Sequence, residues 1–293
     1  MLKGSIVALV TPFLEDGSIN FPKLKELLEY HMKNSTDGVV ILGTTAEATT
    51  LSLEEQLEVI QFSVKVVGGS LPIIVGAGSN DTSKAIEKAK LFSGLGVDYL
   101  LVITPYYNKT NEGGLIKHFT SIAEASSVPV ILYNVPSRTG MSISLSALEV
   151  LSKHPNIYGI KEASGNISYA VGVSRFLSPD FIMLSGNDDI IVPMMSIGAT
   201  GVISVLANIC PKQTHTLCEL CLNEAYYKAS LLQGKLLPIA NALFLETNPI
   251  PVKTAMNYLG FSVGDYRMPL YPMDEVTYQK LVQIIEENKE LIY

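Results

Sequence analysis

The residue in this chain whose chemistry most needs explaining is a lysine that closes a β-type run, Ile157-Tyr158-Gly159-Ile160-Lys161-Glu162. Strand alternation puts Ile157, Gly159 and Lys161 on one face and Tyr158 with Ile160 on the other. If the first face looks into a covered interior, desolvation favours the neutral amine, and a neutral amine attacks carbonyls. Gly159 leaves the long side chain room. A lysine at a strand end also snorkels to water or pairs with a neighbour such as Glu162, so its companions must decide. Tyr133 ends a second run, Pro129–Tyr133, on the same face as Ile131. Taken alone, it is as readily a core tyrosine with a satisfied hydroxyl as a group that points into a barrel mouth. Hydroxyls and amides follow other runs, in Gly43-Thr44-Thr45, Thr104-Pro105-Tyr106-Tyr107-Asn108 and Ser185-Gly186-Asn187-Asp188. Arg138 in Tyr133-Asn134-Val135-Pro136-Ser137-Arg138 is, taken alone, as suited to a surface ion pair as to a binding site.

These groups need a scaffold that brings several strand ends together. Eight short β-rich runs recur along the chain: Ser5–Val10, Gly38–Leu42, Pro72–Val75, Asp98–Ile103, Pro129–Tyr133, Ile157–Lys161, Phe181–Leu184 and Gly201–Val205. Helical periodicity fills most of the gaps, as in Phe21–Met32, Leu53–Val67, Ala85–Phe92, Leu115–Ala125 and Leu145–Leu151. Ser52 with Glu55 has capping-box spacing, and Asp81 and Asn20 suit N-caps. Near-continuous apolar strands alternating with amphipathic helices predict parallel strands under helices, and eight such units close a barrel. An open doubly wound sheet is the alternative. Polar residues after so many strands favour the barrel, whose active site lies at the C-terminal strand ends. The expected fold is therefore an α/β (β/α)8 TIM barrel over residues 1–225, with a C-terminal helical extension over 226–293. Helices are expected around Lys212–Glu224, Ala229–Leu245, Val252–Tyr258 and Asp274–Asn288, with a continuous helical reading from Thr214 to Tyr227.

A 47% hydrophobic chain with 17% charged residues can bury a large core and leave apolar surface for subunit contacts. The net charge of −7 and the lack of a basic cluster argue against nucleic acid or an anionic membrane as partner. No apolar run approaches the ~20 residues of a membrane span, and the expected location is cytoplasmic. Cys210, Cys218 and Cys221 fit a reducing compartment. His215, Cys218 and Cys221 raise a metal site, but within one helical run and without a second CxxC pair they read as packed helix residues. Gly76-Ala77-Gly78 lacks the third glycine or following lysine of a phosphate cradle.

Gly43-Thr44-Thr45-Ala46-Glu47, Thr104-Pro105-Tyr106-Tyr107-Asn108, Tyr133-Asn134-Val135-Pro136-Ser137-Arg138-Thr139-Gly140 and Gly159-Ile160-Lys161-Glu162-Ala163, in this order, resemble the dihydrodipicolinate synthase/N-acetylneuraminate lyase family of class I pyruvate aldolases. The resemblance runs from Gly4-Ser5-Ile6-Val7-Ala8 to Asn248-Pro249-Ile250-Pro251-Val252-Lys253. It implies that Lys161 forms a Schiff base with pyruvate, that Tyr133 is the general acid/base, and that Thr44 and Tyr107 relay its proton, Tyr107 from a neighbouring subunit. It implies that Thr45, through its hydroxyl and neighbouring backbone N–H groups, holds the pyruvate carboxylate and that Gly186 and the carbonyl of Ile203 line the same pocket, without metal or organic cofactor, in a homotetramer built as a dimer of dimers. Glu47 and Asn134 read as structural.

Arg138 chooses within the family. Its place in Tyr-Asn-Val-Pro-x-Arg-Thr resembles the branch that binds the carboxylate of L-aspartate semialdehyde, which implies condensation with pyruvate to 4-hydroxy-tetrahydrodipicolinate for diaminopimelate and lysine synthesis. The alternatives are an aldolase for N-acetylneuraminate or a 2-keto-3-deoxy sugar acid, and a catalytically silent barrel that binds a keto acid. Ala46 stands where many members have glycine, and Ala48 where many have serine. The regulatory cavity of lysine-inhibited members resembles the region of Ala48, Thr49, Leu53, Gln56, Asn80, Lys84 and Tyr106, with Lys84 replacing the usual carboxylate. Weak or absent inhibition by L-lysine is the expectation.

Overall fold

The structure, a computed structural model, describes residues 1–292. Among these residues, the strands β1 (Gly4–Ala8), β2 (Gly38–Ile41), β3 (Ile73–Gly76), β4 (Tyr99–Ile103), β5 (Val130–Asn134), β6 (Ile157–Glu162), β7 (Ile182–Ser185) and β8 (Ala199–Ser204) pair in parallel and in order. β8 returns to β1, with Gly4 opposite Gly201 and Val7 opposite Ser204, which closes the barrel and excludes the open sheet. All eight expected runs are strands.

Alternation along the strands makes two cores. Val7, Val39, Val75, Val102, Leu132, Met183 and Val202 face outward against the helices. Ile6, Val40, Ile74, Leu101, Ile131, Leu184 and Ile203 fill the interior. Full burial of each such side chain contributes roughly 1.5–3 kcal/mol.

β6 departs from simple alternation. Val130 pairs with Ile157 but Ile131 pairs with Gly159, so β6 carries one residue more than β5 at that point. The bulge turns Ile157 outward with Ile160, and leaves Tyr158 packed on the interior core, its ring 5.2 Å from that of Tyr99. The expected pairing of Ile157 with Lys161 and of Tyr158 with Ile160 is thereby corrected. Beyond the bulge the pattern is regular: Gly159 and Lys161 face in, Ile160 and Glu162 face out. Gly159 does more than leave room, because a Cβ there would lie 2.4 Å from the carbonyl oxygen of Ile182 on β7. Gly76 has the same role, its missing Cβ 1.9 Å from the carbonyl oxygen of Leu42, so strand approach accounts for that glycine-rich turn.

The helices begin as their caps dictate. Ser52 and Glu55 form a reciprocal capping box ahead of Leu53–Val67, Asp81 caps Thr82–Ser93, and Asn20 caps Phe21–Lys33 with Pro22 in its first turn. Two short helices, Ile167–Ser174 and Ile191–Ser196, complete the connections after β6 and β7. The run read as one helix from Thr214 to Tyr227 is two, Pro211–Leu222 and Tyr226–Ala242. Glu224 at φ +59 breaks it, a left-handed residue with no glycine to signal it. Pro211–Leu222 packs on β1 and β8, and Tyr226–Ala242 packs outside it. Ile250–Tyr258 and Glu275–Glu287 follow. Cys210, Cys218 and Cys221 are buried thiols, pushed up by burial, Cys221 to about 11. His215 Nδ1 lies 2.8 Å from Asp37 Oδ2 at the opposite end of the barrel from the site below. Among the described residues, no helix is long and apolar enough to cross a membrane.

Candidate active site

Lys161 and Tyr133 are register partners across β6 and β5. That pairing brings the Lys161 Nζ to 4.3 Å from the centroid of the Tyr133 ring. Lys161 is 7% exposed and lines the cavity at the barrel mouth. Glu162 does not pair with it. Glu162 faces the helix layer, where Oε2 accepts from Asn134 Nδ2 and Oε1 from Ser164 N, both at 2.7 Å. Burial pushes its carboxyl up, and those hydrogen bonds pull it part of the way back.

A cavity of ≈ 360 Å³ opens above the lysine, walled by Lys161, Tyr133, Thr44, Thr45, Arg138 and Gly186 among others. Gly186 fits because its N–H donates to the Glu162 carbonyl at 2.7 Å and a Cβ would lie 2.4 Å from that of Ala163. Ile203 sits in the interior core, and Val205 forms the wall after β8. Thr44–Ala46 is a 3-10 turn after β2. Arg138 stands on the four-residue helix Pro136–Thr139, which Gly140 stops at φ +67.

Three residues make contacts at the site that their sequence context did not assign. Asn248, in the connection before Ile250–Tyr258, donates from Nδ2 to Thr45 Oγ1 at 3.0 Å, and its carbonyl accepts from Arg138 Nη2 at 2.8 Å. Asp188 is buried after β7, with Oδ2 accepting from the N–H groups of Val205 and Leu206, each at 2.9 Å. Burial pushes its carboxyl up, while the Ser204 hydroxyl, those two backbone hydrogen bonds and the charge of Lys161 draw it down. Glu47, read as a structural residue of the turn, is tied to Lys253 by a fully buried ion pair.

A second cavity, ≈ 590 Å³, lies on the other side of Thr44, Tyr133 and Arg138. Ala48, Thr49, Leu53, Gln56 and Tyr106 of the expected regulatory set line it. Asn80 and Lys84 do not. Lys88, one helical turn beyond Lys84, does, and burial lowers its pKa. No carboxylate is among the lining residues. Tyr107 lines neither cavity of its own chain. It is 92% exposed at φ +69, on a connection pinned by the Asn108 side chain to the Asn80 carbonyl at 2.8 Å.

A closed (β/α)8 barrel whose mouth holds a buried lysine against a tyrosine, with an arginine in the same cavity, defines a class of carbonyl-handling barrels. Within that class, the chain belongs to the dihydrodipicolinate synthetase family, whose model matches residues 1–288. It is 49% identical over 288 residues to 4-hydroxy-tetrahydrodipicolinate synthase of Clostridium perfringens (strain SM101 / Type A), covering 98% of this chain and 97% of that protein. The enzyme of the same name from Clostridium tetani is 52% identical over 276 residues, 94% of each chain. Among solved structures, the chloride-inhibited dihydrodipicolinate synthase of Acinetobacter baumannii complexed with pyruvate matches with a TM-score of 0.97 at 40% identity, over 100% of both chains. The synthase of Cyanidioschyzon merolae with lysine bound matches with a TM-score of 0.95 at 34% identity, over 98% of both.

Proposed function

We propose that this protein condenses pyruvate with L-aspartate semialdehyde to give 4-hydroxy-tetrahydrodipicolinate, the reaction for which its relatives are named. The observation that carries the assignment of roles is the buried Lys161 amine held over Tyr133 inside a cavity that also contains Arg138.

In this reading the Lys161 amine adds to the pyruvate ketone and water leaves, giving an iminium. The iminium takes up the electron pair when a methyl proton departs. The enamine carbon bonds to the aldehyde carbon, whose oxygen takes a proton. The amino group of the second substrate then attacks the iminium carbon, closing the ring and releasing Lys161. Tyr133 moves the protons, and Thr44 with Tyr107 passes them to and from its phenol. Thr45, through its hydroxyl and neighbouring backbone N–H groups, holds the pyruvate carboxylate, and Gly186 and the Ile203 carbonyl line the same pocket. Arg138 takes the carboxylate of the aldehyde as a bidentate donor. That requirement favours a small carboxylated aldehyde over a sugar acid.

Tyr107 serves a neighbouring copy in this proposal. Its exposure, its left-handed backbone and its absence from its own cavities support that placement, as does the second cavity, which opens on Thr44 and Tyr133. The reading includes a homotetramer made of two such dimers, a cytoplasmic setting, and a functional division into a barrel of residues 1–225 and an extension of 226–293 that lends Asn248 to the site.

The test is turnover of pyruvate and L-aspartate semialdehyde coupled to a dihydrodipicolinate reductase through NADPH loss, beside borohydride trapping of the pyruvate adduct. Both are expected in the parent and neither in Lys161→Ala. A parent that traps pyruvate without turning over the semialdehyde would redirect the reading to sugar-acid cleavage. One that does neither would leave a silent barrel.

A further inference from the structure

One short stretch of the extension grips the turn of Thr44 and Thr45 at two points. Asn248 Nδ2 donates to Thr45 Oγ1 at 3.0 Å. Five residues on, Lys253 Nζ donates to Glu47 Oε1 at 2.8 Å, both side chains being fully buried. The other carboxylate oxygen, Glu47 Oε2, accepts from Arg267 N at 3.0 Å. Lys253 also donates to the Asp265 carbonyl and lies 4.4 Å from the centroid of the Phe13 ring. Glu47 stands at φ +56 between the 3-10 turns Thr44–Ala46 and Ala48–Thr50. Neither Glu47 nor Lys253 lines the cavity above Lys161.

A buried pair of this kind adds little net stability, because desolvating two charges roughly cancels their attraction. What it supplies is registry. Only one placement of the Ile250–Tyr258 helix on the 43–50 turn pairs both charges and gives each its remaining partners. The same placement sets Asn248 between Thr45 and Arg138. We infer that Glu47 and Lys253 are positioning residues for pyruvate binding. They register the Thr44-Thr45 turn against Asn248, so that the extension sets the carboxylate pocket without touching substrate. The inference rests on the assignment of Thr45 to the pyruvate carboxylate and of Lys161 to the imine.

The experiment compares Glu47→Gln, Lys253→Met and the double variant E47Q/K253M. Each is scored for unfolding temperature and for the pyruvate concentration that half-saturates the borohydride-trapped adduct. Each single variant leaves a buried group unpaired and is expected to unfold early. The double variant removes both charges and is expected to unfold closer to the parent than either single variant. It is nevertheless expected to need roughly tenfold more pyruvate or higher, the scale of one hydrogen bond lost to a charged group. Parental pyruvate dependence in the double variant would reduce the pair to packing and overturn the inference. Lys253→Arg keeps the charge but changes its reach, so it guards against loss of fold. A shift of its pyruvate dependence in the same direction supports registry, and no shift opposes it. A parent that traps no pyruvate would instead defeat the underlying assignment, a result these variants cannot mimic.

Discussion

Gly159→Ala is expected to damage chemistry from a position outside the cavity lining. The added Cβ would lie 2.4 Å from the Ile182 carbonyl oxygen, whereas ordinary contact begins at 3.4 Å, a shortfall of about 1 Å. The clash is with backbone, and β6 and β7 belong to a closed barrel, so neither strand can swing away freely. Overpacking of this size costs roughly 1–3 kcal/mol, a drop of a few degrees in unfolding temperature. The larger effect is on position, since Lys161 lies two residues on. A reacting group displaced by about 1 Å loses on the order of 10²-fold in rate. The assay is coupled turnover together with borohydride trapping, with Gly234→Ala as the control. Gly234 is exposed in the Tyr226–Ala242 helix with nothing within 4 Å of an added Cβ, and its replacement should stabilise by about 0.4–1 kcal/mol without touching kcat. Gly159→Ala with turnover and unfolding indistinguishable from the parent would refute the claim that close strand approach places the lysine.

Three further outcomes are expected. Arg138→Ala should raise the KM for L-aspartate semialdehyde by roughly 10–100-fold, the loss of a charged hydrogen bond worth about 1.5–3 kcal/mol, while pyruvate trapping on Lys161 persists; lost trapping would move Arg138 to the first substrate. L-lysine at sub-millimolar concentration should leave turnover unchanged, because the second cavity presents the Lys88 ammonium and no carboxylate; strong inhibition there would overturn this expectation. Burial lowers the pKa of His31 from 6.5 to about 3, so it is neutral when folded and takes up a proton on unfolding anywhere between those values. Stability from this group is complete above pH 6.5 and lost as pH falls toward 3, and His31→Gln should flatten the slope of unfolding free energy against pH in that window by about 1.4 kcal/mol per unit. Equal slopes for parent and variant would show that His31 does not set the acid limit.

Much of the site was legible because its parts obey local rules. Period-two alternation toward the C-terminal end of each strand places Tyr133 and Lys161 inward from sequence alone, and polar residues after successive strands fall at one end of any such barrel. The bulge was hidden because it depends on how β6 meets β5, which no property of Ile157 or Tyr158 announces. Asn248 was missed for a related reason. It meets Thr45 across 203 positions of chain, from a connection without periodicity, and an asparagine before a proline reads as a turn. Lys253 lies 206 positions from Glu47, and nothing local to it announces that its partner is the carboxylate of that turn. The helix boundary at Glu224 was legible in the separate readings Lys212–Glu224 and Ala229–Leu245, but its left-handed residue was not, being neither the glycine nor the asparagine that normally marks one.

The extra residue in β6 makes the strand unequally tolerant of deletion along its length. Loss of Tyr158 would convert the bulge into an ordinary ladder, with Ile157 still outward and Gly159 and Lys161 still inward, at the cost of the tyrosine's packing on Tyr99. Loss of Ile160 would change the parity between the Gly159 contact and the lysine, and turn the ammonium into the helix layer. The strand is in effect measured from its C-terminal end. Slack in chain length is confined to the half away from the mouth, where a lineage could shed a residue and keep its amine in place.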